Sequence, residues 1–258
     1  MNVDLTALYF GDDLKITDDI WIRQPTVREV VDYGEMNFWQ MITTFCANTT
    51  AMRLPLWNEG IDWNKISDFE LFCMLRSSYD PKFLSLIFTE EIHFERMIVI
   101  PVKENAEDEN EEPKPVLVDP ENPSVFIDET IYKDMVENLR AIFNYHPIEE
   151  FARNRFDKEF LIEDDELQIF NRKRMQRIKP KKESWLLPYI SVLLNHPGFK
   201  YNKEQLRNVK FFEFMDSVHR ICQIERTTSL MTGMYFGMVD FKENKHLRED
   251  LDFYKQLY

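Results

Sequence analysis

Apolar and polar positions first alternate along this chain and then settle into helical spacing. Leu8, Phe10, Leu14, Ile16, Ile20 and Ile22 are separated by polar residues, with Asp12-Asp13 and Asp18-Asp19 at the turns. That period predicts two or three short strands in a β-meander, ended by Pro25. Thr26 then opens a helix, with Glu29 three residues on completing a capping box. Val27, Val30, Val31, Gly34, Phe38, Met41, Ile42 and Phe45 carry its apolar face to about Ala47. Ser67 with Glu70 forms a second box ahead of Phe69, Leu71, Phe72 and Leu75. Asp80-Pro81 supplies a cap and a first-turn proline ahead of Phe83, Leu84, Ile87 and Phe88. Residues 26–90 therefore read as a helical bundle packed with aromatic rings.

The texture changes at Ile92. Phe94, Met97, Val99 and Ile100 predict a strand running towards Val102, and Val116-Leu117-Val118 and Val125-Phe126-Ile127 predict two more. Between them lies an acidic stretch, with Glu104, Glu107, Asp108, Glu109, Glu111 and Glu112 against the single base Lys114. Such a run reads as a solvated connection, the alternative being a charged docking segment. From Asp128 onward the pattern is helical: Thr130–Asn144, a charged helix over Asp157–Ile178, a segment Trp185–Leu194 apolar nearly all round and so expected to be buried, and Val209–Gln223 with a stripe of Phe211, Met215, Val218 and Cys222. The fold class expected is mainly α (α+β), a helical bundle with a small N-terminal β-meander and a central β-hairpin carrying the acidic loop. Its segments are 1–91, 92–127 and 128–258.

Composition narrows the functional classes. With 44% hydrophobic residues and 21 phenylalanines among 258 residues, the chain has ample material for a core. No apolar stretch approaches the roughly 20 residues of a membrane span, and no signal peptide is evident, so residence in the cell that makes the protein is expected. The cysteines Cys46, Cys73 and Cys222 read as reduced core thiols. A net charge of −14 disfavours nucleic acid and anionic membranes at long range. Only six glycines occur, about a third of average usage, and neither a dinucleotide fingerprint nor a P-loop is present.

Candidate chemistry is sparse. His93, His146, His196, His219 and His246 never fall within five residues of one another, so local metal spacings are missing and no metal or cofactor is assigned. The carboxylate pairs, including Asp164-Asp165, sit at turns or on charged helices, and no serine lies in a nucleophile elbow. No catalytic residue is therefore expected. Arg172, Lys173, Arg174, Arg177, Lys179, Lys181 and Lys182 form a basic patch without an intervening acid. It could neutralise phosphates, but only Phe170 lies nearby to stack on bases, which favours a solvated helix face. Near the end, Met231, Met234, Tyr235, Phe236 and Met238 combine adaptable methionines with aromatic rings. Burial tendencies favour a core role for them; the alternative is a partner-binding surface.

Several blocks resemble one family. Asp19-Ile20-Trp21-Ile22-Arg23-Gln24-Pro25-Thr26, Tyr33-Gly34-Glu35, Leu56-Trp57, Gly60-Ile61-Asp62-Trp63 and Ile66–Phe72 are similar to blocks of a family of proteins from phages and prophages of Gram-positive hosts. Leu187-Pro188, Pro197–Tyr201 and Phe214–Ile221 look like its later blocks. The resemblance spans most of the chain outside the acidic loop. It departs at Asp240-Phe241-Lys242-Glu243, where a tryptophan-rich close would be expected. It implies a non-enzymatic tail assembly chaperone acting in the host cytoplasm, which coats phage tail proteins such as the tape-measure protein while the tube polymerises. From run lengths and charge no membrane and no nucleic-acid partner is expected, and self-association into a homo-oligomer is an open alternative. The alternatives are a structural virion component, such as a connector or tail-completion protein, and a nucleic-acid-binding regulator resting on the basic patch alone.

Overall fold

In the computed structural model of the protein, residues 3–103, 113–178, 184–238, 245–255 and 257 are described. The acidic residues Glu104–Glu112, the three lysines Lys179, Lys181 and Lys182, and the departure at Asp240–Glu243 lie outside them. The described residues form eleven α-helices and two small antiparallel sheets, a mainly α architecture with some β.

The N-terminal meander is only partly realised. Leu5–Phe10 is a helix, α1, because the Asp4 carboxylate accepts the backbone N–H of Thr6 and Ala7 and so starts a helical turn. Leu8 points into the core while Phe10 points outward, so their spacing of two reflects opposite sides of a helix rather than one side of a strand. What remains is a short hairpin of β1 (Leu14–Lys15) and β2 (Trp21–Ile22) around Asp18-Asp19.

The predicted caps shape the next helices. Thr26 and Glu29 exchange capping bonds at the start of α2 (Val27–Tyr33), and the Arg23 guanidinium also pairs with Glu29. The helix expected to run unbroken to Ala47 stops at Gly34, whose φ of +103° lies outside the helical range, and restarts as α3 (Glu35–Phe45). After α4 (Arg53–Asn58), the Ser67–Glu70 box opens α5 (Asp68–Leu75), and Asp80 with Pro81 opens α6 (Pro81–Ile87). Strands β3 (Ile98–Val102), β4 (Lys114–Val118) and β5 (Phe126–Ile127) pair in that order, with Ile98 opposite Val118 and Leu117 opposite Ile127. Helix α7 (Glu129–Phe143) follows, capped by Asp128, with Tyr132, Met135, Val136, Leu139, Ile142 and Phe143 buried along one face.

The C-terminal part consists of α8 (Arg155–Ile178), α9 (Leu186–Asn195), α10 (Lys203–Asn208) and α11 (Phe211–Tyr235). Helix α9 departs from the expectation of all-round burial. Leu186 and Leu193 are buried, but Leu187, Tyr189 and Val192 face solvent. The helix lies on the outside of the bundle, held at its N-terminus by Glu35, whose carboxylate accepts the Trp185 and Leu186 N–H groups and the Ser184 hydroxyl.

One apolar cluster runs from Leu8 to Val218 and draws on all three sequence segments. Its aromatic centre is Phe45, whose ring lies 4.8–6.3 Å from those of Phe72, Tyr79, Phe83, Phe88 and Phe94. The two ends of the chain meet in it directly. Val27 N–H donates to Val209 O, Phe211 N–H to Pro25 O, and the buried Gln24 side chain donates to Leu8 O while accepting Phe212 N–H. A smaller cluster of Leu56, Trp63, Leu71, Ala152 and Ile162 seats the first half of α8. No helix among the described residues is long and apolar enough to cross a membrane.

Candidate protein-binding surface

Helix α11 begins in the core and ends outside it. Phe211, Phe214 and Val218 are buried, and after them the buried positions on the helix become polar: Gln223 and Thr227. They face the C-terminal segment, which includes a 3₁₀ turn over Lys245–Leu251. Thr227 Oγ1 donates to Asp250 O at 2.7 Å, Gln223 Nε2 to Asp252 O at 3.0 Å, and Arg220 Nη1 to Phe253 O and Lys255 O at 3.0 Å each. Because this change turns the buried side of the helix away from Cys222, that thiol is exposed, not part of the core as its spacing suggested. Cys46 and Cys73 are buried, and burial pushes their thiols up to about 12 and about 11.

Beyond Leu230 the helix loses its cover. Met231 is half-buried and Met234 exposed, and Tyr235, Phe236 and Met238 are 81%, 73% and 82% exposed. A Schellman closure holds them together: Gly237 N–H donates to Met234 O and Met238 N–H to Gly233 O, while Gly237 adopts a φ of +69°. The glycine one residue after an apolar helical run was a readable stop signal that pattern alone did not use. The backbone at Met238 is thereby turned back towards the last helical turn, and Met234, Tyr235, Phe236 and Met238 are all exposed at this one tip.

The basic patch is placed separately. Arg172, Lys173, Arg174 and Arg177 lie on the last turns of α8, all exposed, and none forms an ion pair among the described residues.

The described residues include no group of three His, Cys, Asp or Glu side chains that could hold a metal ion. A surface groove of about 560 Å³ lies between the outer face of the three-stranded sheet and the start of α7. Ile100, Val116, Val118 and Phe126 line it, with Glu129 and Lys133 at its edge. Asp128 and Thr130 add polar groups on its α7 side, beside these apolar contacts. His219 lies partly buried on α11 beside Asp216, whose carboxyl is raised by burial. No family model, curated protein or solved structure matches the chain.

Proposed function

We propose that this protein is a non-enzymatic assembly factor of a phage tail. It holds a helical client such as the tape-measure protein in the host cytoplasm while the tail forms. The observation that carries this reading is the exposed tip of α11, where Met234, Tyr235, Phe236 and Met238 present apolar surface. The resemblance of the Asp19–Thr26, Gly60–Trp63 and Phe214–Ile221 blocks to the phage family points the same way. Flexible methionines beside flat rings suit the apolar stripe of an amphipathic helix, and such a tip remains soluble on a body carrying a net charge of −14.

The test is co-expression with the tape-measure protein of the same phage. The wild-type chain should keep the client soluble, and Met234→Ser combined with Phe236→Ser should lose it. Because both side chains are exposed, that variant should unfold within about 0.5 kcal/mol of wild type. A wild-type chain that neither binds nor solubilises the client overturns the proposal. Retention of the protein in purified virions would instead favour a structural component.

A further inference from the structure

Among the described residues, helix α8 is anchored for only half its length. Ile162 is buried in the smaller cluster, Lys158 Nζ donates to both oxygens of Asp62 at 2.6 and 2.7 Å, and Arg53 grips Asp165. From Glu166 to Arg177 every residue except Ile169 is exposed. On the free side Phe156, Phe160, Leu167 and Phe170 are each more than half exposed. With Glu163, Arg174 and Arg177 they form one stripe advancing by alternate steps of four and three residues, the period of a helix that packs lengthwise on another helix.

The charges along this helix are divided. Asp157, Glu159, Glu163, Asp164, Asp165 and Glu166 precede Leu167, against Arg155 and Lys158 only. Arg172, Lys173, Arg174 and Arg177 follow it, with no acid. Glu163 and Arg174 make no ion pair among the described residues. Within one helix they cannot meet, since eleven residues separate them by roughly 16 Å of rise.

We infer that α8 is a self-association surface, pairing antiparallel with α8 of a second copy. A two-fold axis between Gln168 and Ile169 sets Leu167 against Phe170 of the second copy at the centre. Glu163 then meets Arg174 of the second copy, and Phe160 meets its Arg177. Each of these layers occurs twice by symmetry. The acidic half of each helix lies over the basic half of the other, whereas a parallel pair would set like charge on like. The tip of α11 takes no part, so this inference stands apart from the client-binding reading.

Sedimentation equilibrium of the full chain tests it. Wild type should be a dimer whose affinity falls as salt rises. Glu163→Arg and Arg174→Glu alone should each weaken the dimer at least about tenfold, because each places like charges together in two layers. The double variant E163R/R174E should restore it, which only pairing between copies explains. Leu167→Asp should abolish the dimer while leaving the melting temperature of the dilute protein unchanged. A monomeric wild type, a dimer indifferent to the single reversals, or a double variant no better than either single one overturns the inference. So does a monomer whose four cations bind duplex DNA.

Discussion

Arg53 and Tyr79 are both buried, and hydrogen bonding separates them. Arg53 Nε and Nη2 donate to the two oxygens of Asp165 at 2.6 and 2.7 Å, and Nη1 to Glu150 at 2.6 Å. The Tyr79 hydroxyl, enclosed by Phe45, Phe72 and Phe94, has no hydrogen-bond acceptor or donor among the described residues. Burial raises its pKa well above the ordinary tyrosine value. Removing the two groups should therefore act in opposite directions. Arg53→Ala should cost about 2–4 kcal/mol, since it strands Asp165 beside the smaller core cluster; Glu150, half exposed, recovers water. Tyr79→Phe should be neutral or stabilise by up to about 1 kcal/mol, since it deletes an unpaired polar atom without opening a cavity. Urea denaturation of both variants checks the signs. Neither role was legible in the sequence, because Arg53 and Asp165 lie 112 residues apart and tyrosine looks alike whether its hydroxyl is bonded or not.

Helices were legible where a capping pattern was recognised, and the Asn202–Gln205 box that opens α10 was not. The boxes at Thr26–Glu29 and Ser67–Glu70 and the Asp80-Pro81 start connect residues two or three apart, and each opens the helix expected of it. Errors arose where the deciding contact is distant or the period ambiguous. Leu8 and Phe10 fit a strand by spacing, but Asp4 caps a helix and Leu8 packs in the common core. Trp185–Leu194 looks buried by composition, yet burial depends on what covers it, and its Leu187, Tyr189 and Val192 are exposed. Gly34 sits inside an apolar helical pattern and still divides α2 from α3. An added Cβ there would meet nothing nearer than Asn37 Nδ2 at 3.4 Å, so the objection to a side chain is backbone conformation, not space. Gly34→Ala should accordingly destabilise by about 1–3 kcal/mol. A thermal melt that rises instead would mean the two helices fuse at no cost.

Across the whole molecule, the Met-aromatic tip of α11 was visible in the sequence as a cluster, but its exposure was not. Burial tendencies favoured a core role, and among the described residues the C-terminal segment makes its contacts at Gln223 and Thr227 instead. The same long-range dependence governs the fold. A chain truncated after Ile127 lacks Val209, Phe211, Phe212, Phe214 and Val218, which complete the main cluster around Phe38 and Ile42. It should lose cooperative unfolding and be digested rapidly in limited proteolysis, although it contains α1–α6 and both sheets. A protease-resistant fragment of that length would contradict this.

The joining of Pro25 and Val27 to Phe211 and Val209 also sets a schedule for synthesis. The first helices leave the ribosome with Phe38, Ile42 and Phe45 still uncovered, and the chain must grow from residue 47 to residue 218 before their cover is complete. At the usual elongation rate this wait lasts roughly ten to thirty seconds. Throughout it the nascent chain carries aromatic surface without its final cover, which predicts that ribosome-associated chaperones bind it during synthesis.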